Sequence, residues 1–265
     1  MTEKKENADR YNIKGADRCF QILDLSIALA RPLTVTDVSR ELGVNTNMAF
    51  RLLSTIENCG YMTKNEENGQ YSVSLKALQL SRTALSAMEL RRLVMPYLEM
   101  VWEKNQKSTL NLAVFYEGDI LIVDRIDSLT LPRTYFTPGK QVPFHCTGVG
   151  KVLLSEMPGE AVDELIKKKG LKRFTKNTIT DPDEFKAELA RVRDEQVGRD
   201  RNEYLEGDNC SAVPVRDKDG KIIAAISLSA LVENMSVEEV EASIPRLKDT
   251  AKKISFMFGS NDTGL

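Results

Sequence analysis

Hydrophobic positions with helical spacing occupy the first part of the chain and predict three short helices. The first covers residues 17–30 and ends at Pro32, because proline disfavours a helical conformation in the residue before it. Its expected apolar stripe is Phe20, Leu23, Ile27 and Ala30. Residues 1–12 are polar and highly charged, which predicts a mobile tail ahead of this helix.

Residues 36–60 predict the second and third helices, joined by a tight turn. Thr36 and Asn45 are the expected N-caps, and Gly43 breaks the helical pattern between them. The apolar stripe of the third helix is Met48, Leu52, Leu53 and Ile56. Two helices joined by a glycine-containing turn are typical of a helix-turn-helix. The same arrangement occurs in all-α proteins that do not bind DNA, so that alternative stays open here.

Two β-prone runs, at residues 61–64 and 70–73, follow directly and predict a hairpin around a polar loop that contains Gly69. A hairpin after the second helix of the motif narrows the prediction to a winged helix-turn-helix. We assign this DNA-binding domain to residues 13–75.

In such a domain the exposed start of the third helix enters the major groove and contacts base edges and phosphates. Arg51 is the strongest single candidate for a contact. The expected DNA-binding residues are Thr36, Arg40, Thr46, Asn47, Phe50, Arg51 and Lys64. Net charge does not strengthen this prediction, because residues 1–75 hold nine Lys and Arg against ten Asp and Glu. The contacts must therefore depend on where each basic residue lies.

A helical pattern continues over residues 75–105, with an interruption predicted at Pro96. We assign residues 76–92 to a linker helix. Its apolar stripe packs either within its own chain or against a second copy. We favour pairing, since a two-fold dimer matches palindromic DNA.

Residues 93–260 predict an α+β domain built on an antiparallel sheet. One hairpin is expected at residues 110–126 and another at residues 212–228, with a further strand at 134–137. Helices are expected at residues 146–156, 160–169, 182–195 and 236–258. Antiparallel hairpins with helices inserted between them are typical of the α+β class.

Two weak patterns in this domain indicate a polar pocket. Gly148 and Gly150 at the start of an apolar helix leave backbone N–H groups uncovered, and a helix N-terminus attracts anions. Ser227 and Ser229 lie two apart in a strand, so their hydroxyls share one face. Each pattern has a structural alternative: the glycines permit close packing, or the serines face solvent.

Composition restricts the function classes. A chain of 265 residues favours two domains, and 42% hydrophobic with 29% charged residues is ordinary for a globular protein. The sequence has no membrane-length apolar run and no signal-peptide core, so we expect a cytoplasmic protein that does not enter the membrane. Four widely spaced cysteines fit neither a disulfide framework nor a zinc finger: Cys19, Cys59, Cys146 and Cys210.

His145, the one histidine, lies beside Cys146 and raises the alternative of a thiol-dependent enzyme. Adjacent residues in extended chain point to opposite faces, so this pair is a poor dyad. A metal-binding sensor that uses His145, Cys146, Asp200 and Cys210 is a further alternative, but these residues lack paired ligand spacing. We therefore expect no catalytic activity, no metal and no cofactor.

Several separated segments of the chain follow a known family pattern in the same order: LSTIENCGYM with QYSVSLKALQL, GKQVPFHCTGVGKVLL, TKNTIT, EYLEGDNCSAVPV and GKIIAAISLSAL. On these segments the chain resembles, over nearly its whole length, the IclR (isocitrate lyase regulator) family of bacterial transcription factors. The resemblance implies a winged helix that binds palindromic operators, a dimerising helical linker and a C-terminal effector domain of GAF-like fold. A repressor that is a homodimer, or a dimer of dimers, is the expected form.

The resemblance also implies an effector pocket for a small organic acid, formed by two backbone amides at a helix start with an Asp, a Cys and two Ser. The matching positions are Gly148, Val149, Asp200, Cys210, Ser227 and Ser229. The expected function is a ligand-responsive DNA-binding regulator. Small-molecule or metal sensing, or a thiol-dependent enzyme at His145, Cys146 and Cys210, is the alternative.

Overall fold

The protein is described from a computed structural model that covers residues 12–130 and 137–260. The chain divides into two structural units between Ala84 and Leu85. This division lies inside the segment of residues 76–92 that we assign to a linker, and the limits of the domains stay predictions. Within the described residues, no helix is long and apolar enough to cross a bilayer.

The N-terminal unit contains three helices followed by a two-stranded hairpin, as predicted. Its elements are α1 (Lys14–Leu29), α2 (Val35–Leu42), α3 (Thr46–Asn58), β1 (Met62–Lys64), β2 (Tyr71–Val73) and the start of α4 (Lys76–Ala87). The two strands pair antiparallel, with Met62 opposite Val73. The winged helix-turn-helix prediction is confirmed.

The N-cap of α2 is Thr34, so the assignment of Thr36 as the cap was wrong. The Thr34 hydroxyl accepts a hydrogen bond from the Asp37 amide at 3.1 Å, and the Asp37 carboxylate accepts one from the Thr34 amide at 2.9 Å. This reciprocal capping box needs its partner three residues later, and Asp37 meets that spacing from Thr34. Thr36 lies exposed in the first turn.

The apolar stripe predicted for α1 is also in the wrong register. Ile22 and Ser26 are buried, whereas Phe20 is 66% exposed and Ile27 is 67% exposed. The Ser26 hydroxyl is satisfied within the helix, since it donates to the Ile22 carbonyl at 3.0 Å. A buried serine therefore occupies a core position, which a pattern of apolar residues alone does not predict.

One small core holds α3 in place. Its fully buried side chains include Ile22, Leu33, Val38, Ala49, Leu53, Met62 and Tyr71. On α3 the buried face consists of Ala49, Leu52, Leu53 and Ile56. The opposite face of the helix is therefore left outside the core of this unit.

The C-terminal unit is built on a six-stranded antiparallel sheet with the strand order β5-β4-β3-β8-β7-β6. The strands are β3 (Thr109–Tyr116), β4 (Asp119–Ile126), β5 (Gln141–Val142), β6 (Gly198–Arg201), β7 (Asp208–Arg216) and β8 (Ile222–Leu231). The helices are α5 (Glu89–Trp102), α6 (Gly148–Leu154), α7 (Gly159–Lys169), α8 (Pro182–Glu195), α9 (Val237–Ala242) and α10 (Ile244–Met257). The α+β prediction is confirmed.

Helices cover both faces of this sheet. On one face α5 and α10 pack against alternate strand residues, including Ile226 and Leu228 of β8. On the other face α6 and α8 pack against residues such as Ala225. Because side chains alternate along a strand, Ser227 and Ser229 lie on the α6 side with Ala225.

Two long helical segments are divided differently from the predictions. The helical pattern breaks at Met88 and not at Pro96, which lies inside α5. Val94, Leu98 and Val101 bury one face of α5, and this packing offsets the hydrogen bond that proline cannot donate. The last helix is capped by Ser236 and Glu239 as predicted, but Ser243 divides it into α9 and α10. Residues 134–136 of the predicted strand lie outside the described residues.

Candidate functional sites

The start of α3 presents four of the predicted DNA-binding residues to solvent. Thr46, Asn47, Phe50 and Arg51 are all exposed, and the Phe50 side chain is 48% exposed. Asn45 fixes the start of the helix, because its side-chain oxygen accepts a hydrogen bond from the Met48 amide at 2.8 Å. The four residues therefore form one polar and aromatic surface on a helix whose other face is buried.

The turn before α3 is held by local bonds. Gly43 has a φ of +62°, the left-handed region that glycine adopts at little cost. The Ser39 hydroxyl donates to the Val44 carbonyl at 2.6 Å, and the Val44 amide donates to the Ser39 carbonyl at 3.1 Å. These bonds fix the path of the chain from α2 to α3.

The basic residues near this surface differ in how they are paired. The Arg40 guanidinium lies 3.0 Å from the Glu41 carboxylate and 3.4 Å from that of Asp37. Lys64 pairs with Glu66 at 3.1 Å. The Arg51 side chain has no hydrogen bond or ion pair with any described residue. Arg51 is therefore the most available cation of this surface.

The Asp37 carboxylate takes part in the cap of α2 and also forms an ion pair with Arg31. Arg31 donates two hydrogen bonds to its carboxylate, at 2.9 and 3.0 Å, and Thr34 donates two more. The Arg31 bonds, helped by those from Thr34, hold the pKa of Asp37 well below its usual value. The Arg31 guanidinium is therefore held in its ion pair with Asp37.

The second site is a cavity among buried residues of the C-terminal unit, which we call the central cavity. All six residues predicted for an effector pocket line it, although they come from four separate parts of the sequence. Its lining consists of Asn111, Ile122, Thr147, Gly148, Val149, Asp200, Asp208, Cys210, Ser227 and Ser229. The cavity has a volume of about 20 Å³, which suffices for roughly one water molecule.

Close packing at the start of α6 requires both glycines. A Cβ atom on Gly148 would lie 2.9 Å from the Gly198 carbonyl oxygen, and one on Gly150 would lie 2.4 Å from the Phe144 carbonyl oxygen. The Thr147 hydroxyl caps the helix and accepts a hydrogen bond from the Gly150 amide at 3.2 Å. The packing alternative for these glycines therefore holds, and it places the start of α6 against the cavity.

Two buried carboxyl groups face this cavity, and burial raises the pKa of both. The pKa of Asp200 rises to about 8, although hydrogen bonding to the Glu203 amide opposes the shift. The pKa of Asp208 rises to about 7, with Arg125 opposing. Near neutral pH the cavity therefore holds part of its carboxyl groups in the protonated form, which donates a hydrogen bond.

Asn111 and Asp208 are lining residues that sequence reasoning missed. The Asn111 amide donates to the Ser227 hydroxyl at 3.2 Å. Among the described residues, the Asn111 side-chain oxygen and one Asp208 carboxylate oxygen are buried without a hydrogen-bond partner. Asp208 lies two residues before Cys210 in β7, so the period of a strand was available as a signal. Asn111 lies opposite Ser227 only through the β3–β8 pairing, which the sequence does not state.

The alternative sites find less support in the geometry. Burial raises the pKa of the Cys146 and Cys210 thiols well above the usual range, so neither is poised as a thiolate. His145 donates through Nε2 to the Lys172 carbonyl at 2.9 Å and lines a different cavity from Cys210. No group of three or more His, Cys, Asp or Glu side chains in the described part of the chain is arranged to hold a metal ion.

Comparison with known proteins identifies one family for both parts of the chain. The family described as IclR helix-turn-helix domain matches residues 15–66, and the one described as bacterial transcriptional regulator IclR C-terminal matches residues 82–256. The HTH-type transcriptional regulator KdgR of Escherichia coli K12 is 31% identical over 251 residues, which cover 95% of each chain. The transcriptional repressor IclR of the same organism is 26% identical, over 93% of this chain and 90% of its own.

Solved structures show the same fold. A putative transcriptional regulator from Rhodococcus sp. RHA1 is 26% identical with a TM-score of 0.77, over 93% of this chain and 98% of its own. An IclR homologue from Microbacterium hydrocarbonoxydans, solved as a complex with 4-hydroxybenzoate, has a TM-score of 0.73 at 22% identity, over 91% and 98% of the two chains. The family match covers more than half of the chain, and the protein belongs to the IclR family of bacterial DNA-binding transcriptional regulators.

Proposed function

We propose that this regulator binds a palindromic operator as a homodimer, and that a small organic acid in the central cavity changes its operator affinity. The observation that carries the proposal is the central cavity itself. It gathers hydroxyl, carboxyl, thiol and amide groups from β3, α6, β6, β7 and β8 into one buried space. Converging polar groups in a buried cavity are typical of a small-molecule site.

DNA binding is assigned to the exposed face of α3. Thr46, Asn47, Phe50 and Arg51 would contact base edges, since they lie at the start of the helix that enters the major groove. Thr36, Arg40 and Lys64 would contact phosphates. The ion pairs of Arg40 and Lys64 are exposed, and such pairs contribute little enough to be exchanged for a phosphate.

The chemistry of the central cavity supports an acidic ligand. The Ser227 and Ser229 hydroxyls and the protonated form of Asp200 can each donate a hydrogen bond to a carboxylate. The solved homologue that holds 4-hydroxybenzoate supports the same class of ligand for a protein of this fold. The acceptor oxygens of Asn111 and Asp208 are suited to a hydroxyl elsewhere on the ligand.

Ligand binding must enlarge the central cavity, because about 20 Å³ does not admit an organic acid. Enlargement has to move α6 or the strands that pack on it, since neighbouring backbone already packs closely against Gly148 and Gly150. A ligand that favours the enlarged arrangement shifts the population of states. Such coupling between sites typically changes affinity by about 5-fold to 150-fold.

Exposed apolar residues near α4 support the homodimer. Leu75 is 81% exposed, Leu78 64% and Leu80 57%. Exposed leucines such as these can be buried when two copies of the chain pair. A dimer of dimers and a repressor role extend this proposal, and it assigns no catalytic activity to the protein.

The test combines operator DNA with an organic-acid screen. Fluorescence anisotropy with DNA upstream of the protein's own gene should show binding that weakens steeply with salt. A thermal-shift screen of small organic acids should find a ligand that raises the melting temperature and changes operator affinity. The variant carrying Ser227→Ala and Ser229→Ala should keep operator binding and lose the ligand response. Salt-insensitive binding, or a response that survives in this variant, would contradict the proposal.

A further inference from the structure

A second cavity in the C-terminal unit has no role in the function proposed above. We call it the aromatic cavity. It is lined by the β3–β4 turn, by residues 141–145, by the end of α7 and by Lys172, Phe174 and Tyr204. The aromatic cavity has a volume of about 320 Å³, which suits a ligand with one ring. The central cavity offers about 20 Å³ by the same measure.

Aromatic rings form its walls. Phe174 and Tyr204 meet edge to face with ring centroids 5.0 Å apart. Phe144 and His145 meet in the same way at 5.3 Å, and the His145 and Phe174 centroids are 6.1 Å apart. Rings in these orientations present both edges and faces, which favours a planar aromatic guest.

The charge at this cavity is positive. Lys172 has no ion pair or side-chain hydrogen bond within residues 12–130 and 137–260, and its ammonium lies 5.5 Å from the centroid of the Phe174 ring. Lys169 is paired with Asp119, so these two lining residues cancel. Burial lowers the pKa of His145, which keeps its ring neutral near pH 7. Among the described residues, the Lys172 ammonium therefore remains available to pair with an anion beside the aromatic walls.

From this cavity and its lining we propose that the aromatic cavity binds a small aromatic carboxylate, at a site separate from the central cavity. The ring of the ligand packs against Phe144, Phe174 and Tyr204, and its carboxylate pairs with Lys172. Apolar walls with one charged group at the edge select an anion with an apolar body. A small hydrophilic anion has no ring to pack against these walls, and the positive charge of an aromatic amine would be repelled by Lys172.

Two structural elements are shared by the two cavities. Residues 143–149 line the aromatic cavity at their start and the central cavity at their end, and the Thr147 hydroxyl donates to the Pro143 carbonyl at 2.6 Å. The Asp200 carboxylate in the central cavity accepts hydrogen bonds from the amides of Glu203 and Tyr204. A ligand that shifts Phe144 or Tyr204 therefore acts on the central cavity. This coupling rests on the proposed function, whereas the binding step does not.

The experiment uses 4-fluorobenzoate as the probe and follows its binding to the full chain by ¹⁹F NMR titration. Lys172→Gln should weaken binding about fivefold or more, since it removes a partly exposed ion pair. Phe174→Leu should also weaken binding, because it keeps apolar volume but removes the ring. Lys168→Gln is the matched control, since Lys168 is exposed near the end of α7, four residues before Lys172, and does not line the cavity. It should leave the affinity unchanged.

Three further measurements separate the two sites. The Ser227→Ala and Ser229→Ala variant should bind 4-fluorobenzoate as the wild type does. Unlabelled benzoate should displace the probe, whereas acetate and benzylamine should not. The proposal is overturned if the probe fails to bind at millimolar concentration, if Lys172→Gln and Phe174→Leu bind it normally, or if the serine variant loses it. Normal probe binding without any effect on operator affinity would reject the coupling alone, and would leave both the second site and the proposed ligand response of the central cavity in place.

Discussion

The exposed face of α3 and the central cavity are built in opposite ways. On α3 the side chains that we propose to contact DNA extend into solvent, and a capped helix with a buried opposite face holds them. In the central cavity the functional groups are buried, two carboxyl groups have a raised pKa, and two acceptor oxygens have no partner among the described residues. Under the proposed function, the α3 face can contact DNA without rearrangement, whereas the central cavity has to enlarge before it admits an organic acid.

This difference follows from the physics of polar groups. An exposed polar side chain is solvated by water and costs little, so a DNA-contacting surface can be prepared in advance. A buried acceptor without a partner costs about 1 to 3 kcal/mol. A ligand or water that supplies the missing donors recovers that cost. The central cavity is therefore sensitive to occupancy in a way that the α3 face is not.

The largest effect is expected from a change at the rigid edge of the central cavity. Gly150→Ala places a Cβ atom 2.4 Å from the Phe144 carbonyl oxygen. The backbone of residues 143–150 must shift, and we expect the free energy of unfolding of the C-terminal unit to fall by about 3 kcal/mol or more. Chemical denaturation followed by circular dichroism measures this loss.

Gly159→Ala is the control for that change, since a Cβ atom there would contact nothing within 4 Å. It lies at the start of α7, where alanine is accepted, and the stability should change by less than about 0.5 kcal/mol. Equal losses in the two variants would show that the close approach at Gly150 is not a constraint on the cavity.

The α3 face should respond in affinity and not in stability. Arg51→Ala removes a guanidinium that has no partner among the described residues, and we expect operator affinity to fall about 10-fold to 100-fold. Arg40→Ala should cost less, because Arg40 is already shared between Glu41 and Asp37. Anisotropy titrations at one salt concentration measure both. A larger loss for Arg40→Ala would move the centre of the interface from α3 to α2.

The buried carboxyl groups should make the stability of the C-terminal unit depend on pH. The pKa of Asp208 is about 7 when folded, against about 3.9 in an unfolded chain. Between these values the folded state holds a proton that the unfolded state has lost, so stability falls as pH rises from about 4 to about 7. Asp208→Asn cannot ionise and should be more stable than the wild type at pH 8 by about 1 kcal/mol or more.

Denaturation curves at pH 5 and pH 8 measure this difference, which should shrink toward acid pH. Asp219→Asn is the control, since Asp219 is exposed in a turn. It should follow the wild-type profile at both values. If Asp208→Asn reproduces the wild-type profile, Asp208 ionises freely and its burial does not raise its pKa.

How much of each region was predictable depends on the range of the interactions. Asn45, the hairpin after α3 and the exposed face of α3 follow from spacing within a few residues, and the structure agrees with them. The convergence of Asp200, Cys210 and Ser227 depends on strand pairing, and the family resemblance indicated it where the local pattern was weak. Asn111 was missed because only its place opposite Ser227 brings it to the cavity.

The errors in the N-terminal unit have local causes. Phe20 and Ile27 were expected in the core because they are apolar at helical spacing, yet Ile22 and a self-bonded Ser26 occupy those positions. Apolar character alone does not distinguish a core stripe from exposed apolar residues on the same helix. The helical break at Met88 gives no composition signal, since methionine is a good helix former.

The smallest effect is expected at the cap of α2, where Thr34 is the cap and Thr36 was predicted from the sequence. Thr34→Ala removes the hydroxyl that accepts from the Asp37 amide and donates to its carboxylate at 2.8 Å. We expect a loss of about 1 kcal/mol in the stability of the N-terminal unit. Thr36→Ala, at an exposed position in the first turn, should change it by less than about 0.5 kcal/mol. Thermal unfolding of both variants ranks them, and a larger loss for Thr36→Ala would return the cap to the residue that the sequence pattern favoured.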